Sequence, residues 1–293
     1  MRLIFLKASI AIVLFGFLVW FLKPELLLEA AGQVDGSRLL LCGAIALVGI
    51  GVQWIKWQRL LREQIPEAKW IEGLYSLLGG TALRLVTPGG VGEVGRGVFL
   101  GRSHVSLAVL TAIDKLSSGA ITLVLGWLAA WVLWPNIRIY LLFSLVVVGG
   151  SAWLGWRWGE SSVKLIKAIK AVKSIDRWGT VLGLSLVFNL VYMTQFLCLV
   201  TVGMVVDQTL VLAIPVVFAL KALLPLGLMD LGVREAAAVV VFSSLGLETQ
   251  PAFVACVLLF AFNICLPAGL GWIWVGGRTK LKKPYWNLRK VFQ

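Results

Sequence analysis

Apolar residues along this chain gather into eight long runs, at roughly 3–21, 39–55, 71–100, 105–134, 138–156, 180–206, 209–246 and 251–276. Six of them lie near the ~20 residues that carry an α-helix across a bilayer, which predicts six full spans. The other two are too long for one simple crossing and are interrupted. Run 71–100 contains Thr87-Pro88-Gly89-Gly90-Val91-Gly92-Glu93-Val94-Gly95-Arg96, and run 209–246 contains Pro225-Leu226-Gly227-Leu228-Met229-Asp230-Leu231-Gly232-Val233-Arg234-Glu235. Lipid cannot hydrogen-bond to a broken backbone, so such breaks survive only where they line a cavity or are covered by protein. Two of them in corresponding halves predict re-entrant helical hairpins flanking a transport site.

Composition places the whole chain in the membrane. With 59% hydrophobic residues, 14% charged and a mean hydropathy of +0.92, its 293 residues lack the polar surface of a soluble domain. Trp20, Trp54, Trp57, Trp70, Trp131, Trp134, Trp153, Trp156, Trp158, Trp272 and Trp274 fall near the ends of apolar runs, the expected position of an interfacial aromatic belt. Cys42, Cys198, Cys256 and Cys265 lie in or near the same runs without metal-binding spacing, and read as small packing residues. The opening, with Arg2 and Lys7 ahead of an apolar core, imitates a secretory signal; its apolar length, Leu3 to Phe21, favours a retained first span.

Basic residues decide the threading. If both broken runs return to the side from which they enter, nineteen Lys and Arg fall on the cytoplasmic side, three (Lys23, Arg38, Arg138) fall outside and five lie at membrane depth. That asymmetry is what the positive-inside rule expects. A full crossing by the first broken run would instead put the six bases of 157–177 outside. The accepted threading gives residues about 39–134 and 180–276 opposite orientation, an inverted repeat within a single all-α transmembrane domain. Segment 157–177, with lysines at 164, 167, 170 and 173, reads as a cytoplasmic amphipathic linker, and 278–293 as a basic tail. Both termini are then cytoplasmic. The net charge of +13 reflects this orientation and calls for no nucleic-acid partner.

Nine charges remain at membrane depth: Arg84, Arg96, Lys115, Lys221 and Arg234 against Glu93, Asp114, Asp230 and Glu235. At about 2.5–3.5 kcal/mol each they must be paired, hydrated or both. Glu93 and Arg96, three apart, face one another on a helix, and Asp114 adjoins Lys115. Thr87 is a candidate cap ahead of Pro88, and Gly89, Gly90 and Gly92 leave amides accessible to a phosphate oxygen. In the second hairpin Gly227 and Gly232 flank Asp230, a candidate cap for a helix running through Glu235 to about Leu245. Arg96, Arg234 and Lys221 are then the candidate cations for an anionic substrate. Glu93, Asp114, Lys115, Asp230, Glu235 and Arg84 have a competing reading, as charges that lock the hairpins or couple transport to an ion. His104 reads as an interfacial residue at the start of a span.

Gly92-Glu93-x-x-Arg96 after Thr87-Pro88-Gly89, the later Leu231-Gly232-Val233-Arg234-Glu235-Ala236-Ala237, and Leu245-Gly246 resemble the transmembrane region of the lysylphosphatidylglycerol synthase family of flippase-like proteins. The resemblance covers about 40–276. It implies a prokaryotic inner-membrane protein that moves phospholipid or polyprenyl-type lipids between leaflets, with membrane lipids as partners. Asp114-Lys115 departs from the acid-arginine pair the family often shows, and Asp230 stands where a small or neutral residue is expected. The predicted function is therefore lipid translocation, with no enzymatic activity and no cofactor. A polytopic glycosyltransferase acting on a lipid-linked sugar and a coupled transporter of a small anion are the alternatives. A homo-oligomer is compatible with the sequence.

Overall fold

Residues 13, 15–100, 104–144, 178–201, 205–223 and 232–279 are described by a computed structural model, and among them every regular element is helical. After a helical stretch at 15–21 come α1 (Pro24–Gly32), α2 (Gly36–Gln64), α3 (Trp70–Val86), a 3-10 segment (Pro88–Leu100) and α4 (His104–Leu133). The second half holds α5 (Trp178–Val200), α6 (Gln208–Leu223), α7 (Val233–Ser244), α8 (Thr249–Phe260), a π turn (Ala261–Cys265) and α9 (Leu266–Thr279).

Starts and stops follow local chemistry. The Asp35 carboxylate accepts from Arg38 N–H at 2.7 Å and Ser37 Oγ–H at 2.8 Å, which caps α2 and holds that carboxyl below its usual range. At α6 the Asp207 carboxylate accepts from Leu210 N–H at 2.8 Å. Gly232, at φ +84°, opens α7 in a conformation that glycine tolerates, and its N–H donates to Glu235 Oε2 at 2.6 Å. The N-cap position thus belongs to Gly232, and Glu235 reaches back to serve it; Asp230 lies outside the described residues.

Four predicted spans appear as helices long and apolar enough to cross a membrane: Gly36–Gln64, Leu107–Leu133, Trp178–Val200 and Thr249–Trp274. Large apolar side chains stand exposed on them, such as Leu40 at 79%, Leu116 at 71% and Ile273 at 76%, as lipid-facing surfaces require. The predicted spans at 3–21 and 138–156 lie largely outside the described residues, and the 157–177 linker and nearly all of the basic tail lie wholly outside.

The helix ends sort into two sets. Ile65, Ala68, Leu100, Leu107 and Trp178 share one hydrophobic cluster, while Val34, Trp134, Val200, Leu210, Leu245 and Leu247 share another. Both ends of the α3/3-10 pair therefore lie at the first end of the bundle, and both outer ends of the α6/α7 pair lie at the second. The α3/3-10 pair is antiparallel: Tyr75 meets Phe99 with ring centroids 5.8 Å apart, and Arg84 meets Glu93 at 2.9 Å. Thr87 closes the bend, its Oγ–H donating to Leu83 O and its oxygen accepting from Gly92 N–H, both at 2.8 Å.

Across the two halves α2 packs on α5, α4 on α6 and α3 on α9. Two of these contacts are backbone-close at glycine. A Cβ built on Gly126 of α4 would stand 2.7 Å from Pro215 O in α6, and one on Gly271 of α9 would stand 2.3 Å from Leu78 O in α3.

Candidate functional site

Six charged side chains from four elements meet in one interior cluster. Arg96 donates to Asp114 Oδ2 at 2.9 Å and to Glu93 Oε2 at 3.2 Å, bridging the 3-10 segment and α4. Glu93 also receives Arg84 of α3 at 2.9 Å and Lys115 of α4. Asp114 receives Lys56 of α2, whose Nζ stands 2.8 Å from Oδ1 and donates to Ser118 Oγ at 2.6 Å and Ser185 Oγ at 3.1 Å. Beneath them the Arg96 guanidinium lies 4.9 Å from the centre of the Trp57 ring.

Burial divides the cluster in two. Arg96, Lys56, Glu93 and Asp114 are enclosed at 0–3% exposure, whereas the side chains of Arg84 and Lys115 retain 19% and 40%. Among the described residues four cations of the cluster pair with two carboxylates, in a region walled by apolar helices. Arg96 is an interior strut between two acids, and the accessible positive charge sits at Lys115 and Arg84.

Several sequence expectations change here. Glu93 and Arg96 do pair as i, i+3 neighbours. Asp114 and Lys115, adjacent in sequence, turn to different partners, because consecutive helical residues point about 100° apart. The Gly92 N–H is already taken by Thr87, and a Cβ at Gly92 would stand 2.4 Å from Leu83 O, so Gly92 serves close packing rather than open amide binding. Gly89 and Gly90 fall in the same 3-10 segment. Lys56, counted by sequence among the cytoplasmic bases, is 1% exposed and belongs to this cluster; Trp57, assigned to the interfacial belt, is fully buried beneath Arg96.

One face of α5 carries a row of buried polar side chains. Ser185 Oγ–H donates to Ser117 Oγ at 3.2 Å; Asn189 pairs with Thr122 at 2.5 Å; and Tyr192 accepts from Arg234 at 2.6 Å. Gln195 donates to Cys42 O at 2.9 Å and accepts from Asn263 in the π turn at 2.7 Å. These positions recur every three or four residues, the signal of one helix face, which the apolar length of this span concealed. Tyr192 brings Arg234 to the same face, and Arg234 and Glu235 are both buried with 3.6 Å between Nε and Oε1. Lys221, in the last turn of α6, is half-buried.

A family model for the lysylphosphatidylglycerol synthase TM region matches residues 4–271. The chain belongs to that family. Neither the curated proteins nor the solved structures compared with it give a match. As a member of the lysylphosphatidylglycerol synthase transmembrane family it is a multi-pass membrane protein of lipid-related function. Among the described residues no group of three or more His, Cys, Asp and Glu side chains is placed to hold a metal ion. The cluster's two carboxylates each already serve at least two cations, Glu93 pairing with Arg84, Arg96 and Lys115 and Asp114 with Lys56 and Arg96.

Proposed function

We propose that this protein carries a phosphate-bearing lipid, a phospholipid or polyprenyl-type lipid, between the leaflets of a prokaryotic inner membrane. The observation that carries the reading is the exposure of Lys115, at 40%, and of Arg84, at 19%, on the accessible edge of an otherwise buried charge cluster. A phosphodiester entering an apolar interior loses hydration worth several kcal/mol, and the partly exposed Lys115 ammonium, with the Arg84 guanidinium beside it, offsets part of that loss without covalent chemistry. The α5 face of Ser185, Asn189 and Tyr192 extends the polar surface from this cluster toward Arg234, which supports a head-group route between the hairpins. On this reading the protein is a carrier rather than an enzyme, and its partners are membrane lipids with anionic head groups.

The test is translocation of a head-group-labelled phospholipid in proteoliposomes. Lys115→Gln is expected to slow it about tenfold, the value of one charge-assisted hydrogen bond to the phosphate, with a smaller fall in unfolding midpoint than Arg96→Gln because Glu93 keeps Arg84 and Arg96. Unaltered transport in Lys115→Gln and Arg84→Gln alike would overturn the assignment.

The membrane arrangement belongs to the same proposal. The helix-end sorting supports two hairpins that enter from opposite faces, and the packings of α4 on α6 and α3 on α9 exchange under a two-fold axis that maps α2 onto α5. That is the contact pattern of an inverted repeat. Arg59, Arg62 and Lys69 lie toward the end shared by Ile65 and Leu100, which makes that end cytoplasmic under the positive-inside rule. Single cysteines replacing Lys69 and Gly101 in a cysteine-free background are expected to label from the cytoplasm, and those replacing Asp207 and Glu248 from outside. Labelling of Lys69→Cys and Gly101→Cys from opposite faces would remove the first re-entrant hairpin.

A further inference from the structure

At the end of the bundle remote from α3, a cavity of about 350 Å³ opens between the N-terminal helix, the end of α7 and the start of α8. Its apolar wall is Phe21, Leu22, Leu26 and Val239; its polar side is Lys23, Ser243, Thr249 and Gln250. The volume lies within the range of small-ligand sites.

Lys23 is held there by an uncommon backbone. Its φ of +62° is the one positive value outside glycine among the described residues. The turn is pinned because Lys23 O accepts from Leu26 N–H at 3.1 Å and Leu27 N–H at 3.2 Å, with Pro24 opening α1. Lysine adopts this region at a cost that glycine avoids, and strained residues of this kind collect at ligand clamps. Here the strained residue is one of those lining the cavity.

The surroundings select the ligand's chemistry. Trp20, 72% exposed and one turn before Lys23, is the kind of side chain that collects at the membrane–water interface, which argues for a cavity near head-group level. Phe21 and Leu26 continue its wall onto the exposed apolar surface, where acyl chains run. Glu25 follows Lys23 by two residues and Glu248 precedes Thr249; both are exposed carboxylates that disfavour a doubly charged ligand. A singly charged phosphodiester fits this balance better than a phosphate monoester or inorganic phosphate.

We propose that this cavity binds the phosphodiester of a glycerophospholipid. Lys23 faces the phosphate, Ser243, Thr249 and Gln250 supply hydrogen bonds, and the acyl chains follow Phe21 and Leu26 into the bilayer. The site lies apart from the interior cluster, and its occupancy does not depend on lipid movement.

The experiment is photo-cross-linking of the full chain in nanodiscs with a diazirine-bearing phosphatidylglycerol, reading the cross-links in the two segments that line the cavity. Lys23→Gln and Lys23→Gly should each reduce this labelling about fivefold, the change expected for one lysine at a lipid surface, and Lys23→Arg should retain it. Lys23→Gly relieves the backbone, so its unfolding midpoint should hold or rise while labelling falls, the opposite of a purely structural lysine. Equal labelling by a diazirine-bearing diacylglycerol, or labelling indifferent to Lys23→Gln, would overturn the proposal. Suppression by inorganic phosphate would overturn the lipid assignment in favour of a soluble anion.

Discussion

Asp114→Asn is expected to destabilise the detergent-solubilised protein by about 3–5 kcal/mol, read as a fall in its denaturant unfolding midpoint. The Asp114 carboxylate is 3% exposed and is shared by Lys56 at 2.8 Å and Arg96 at 2.9 Å. Asparagine keeps the shape and removes the charge, leaving two buried cations that no longer share a counter-charge. Lys56→Met should destabilise in the same direction, because it leaves Asp114 with half its compensation. The double substitution should cost clearly less than the sum, since each member's loss includes the penalty of stranding the other. Strict additivity would show that the pair does not act as a unit. Arg96→Gln belongs with these changes: a guanidinium with no exposed surface, spanning two acids, carries stability along with any effect on transport.

Gly271→Ala should cost about 1–3 kcal/mol by the same measurement, a large effect for one methyl group. The added Cβ would stand 2.3 Å from Leu78 O and 2.9 Å from its carbonyl carbon, and backbone cannot step aside as a side-chain tip does. α9 would have to lift off α3. Two residues earlier in the same helix, a Cβ on Gly269 meets nothing within 4 Å, so Gly269→Ala should be neutral or stabilise by up to about 1 kcal/mol through helix propensity. Gly126 and Gly119 of α4 form a matching pair: Gly126 lies against Pro215 and Ala219 of α6, and Gly119 has open space. Equal effects at Gly271 and Gly269 would show that close approach does not set the strength of the α3–α9 contact.

Much of the architecture is legible in the sequence because lipid imposes severe rules. Runs long enough to span marked α2, α4, α5 and the α8–α9 pair, and their apolar surroundings required every backbone group to be satisfied within helices. The interruption at Thr87-Pro88 marked the bend of the first hairpin, since proline lacks the donor an α-helix needs and Thr87 supplies a side-chain bridge in its place. Glu93 and Arg96 were readable as partners because both lie on one short segment at neighbouring spacing.

Lys56 was not readable in this way. Viewed along the chain it is one of several bases following an apolar run; in space it meets Asp114, 58 residues later. The same distance in sequence hid Ser185 and Asn189, which look like minor polar interruptions of a span until α4 is laid beside them. Trp57 shows the limit from the other direction: its position near a run's end suggested the interface, but the Arg96 guanidinium covers its ring.

The all-helical membrane class, the location of the breaks and the residues of opposite charge that need partners follow from the chain alone, because hydrophobic length and the cost of a buried charge are local properties. The fold settles which charges pair and which remain accessible. It turned Arg96 inward between Glu93 and Asp114 and left Lys115 and Arg84 at the edge, since that choice depends on how α2, α3, the 3-10 segment and α4 converge, and helix convergence is set by side chains far apart along the chain.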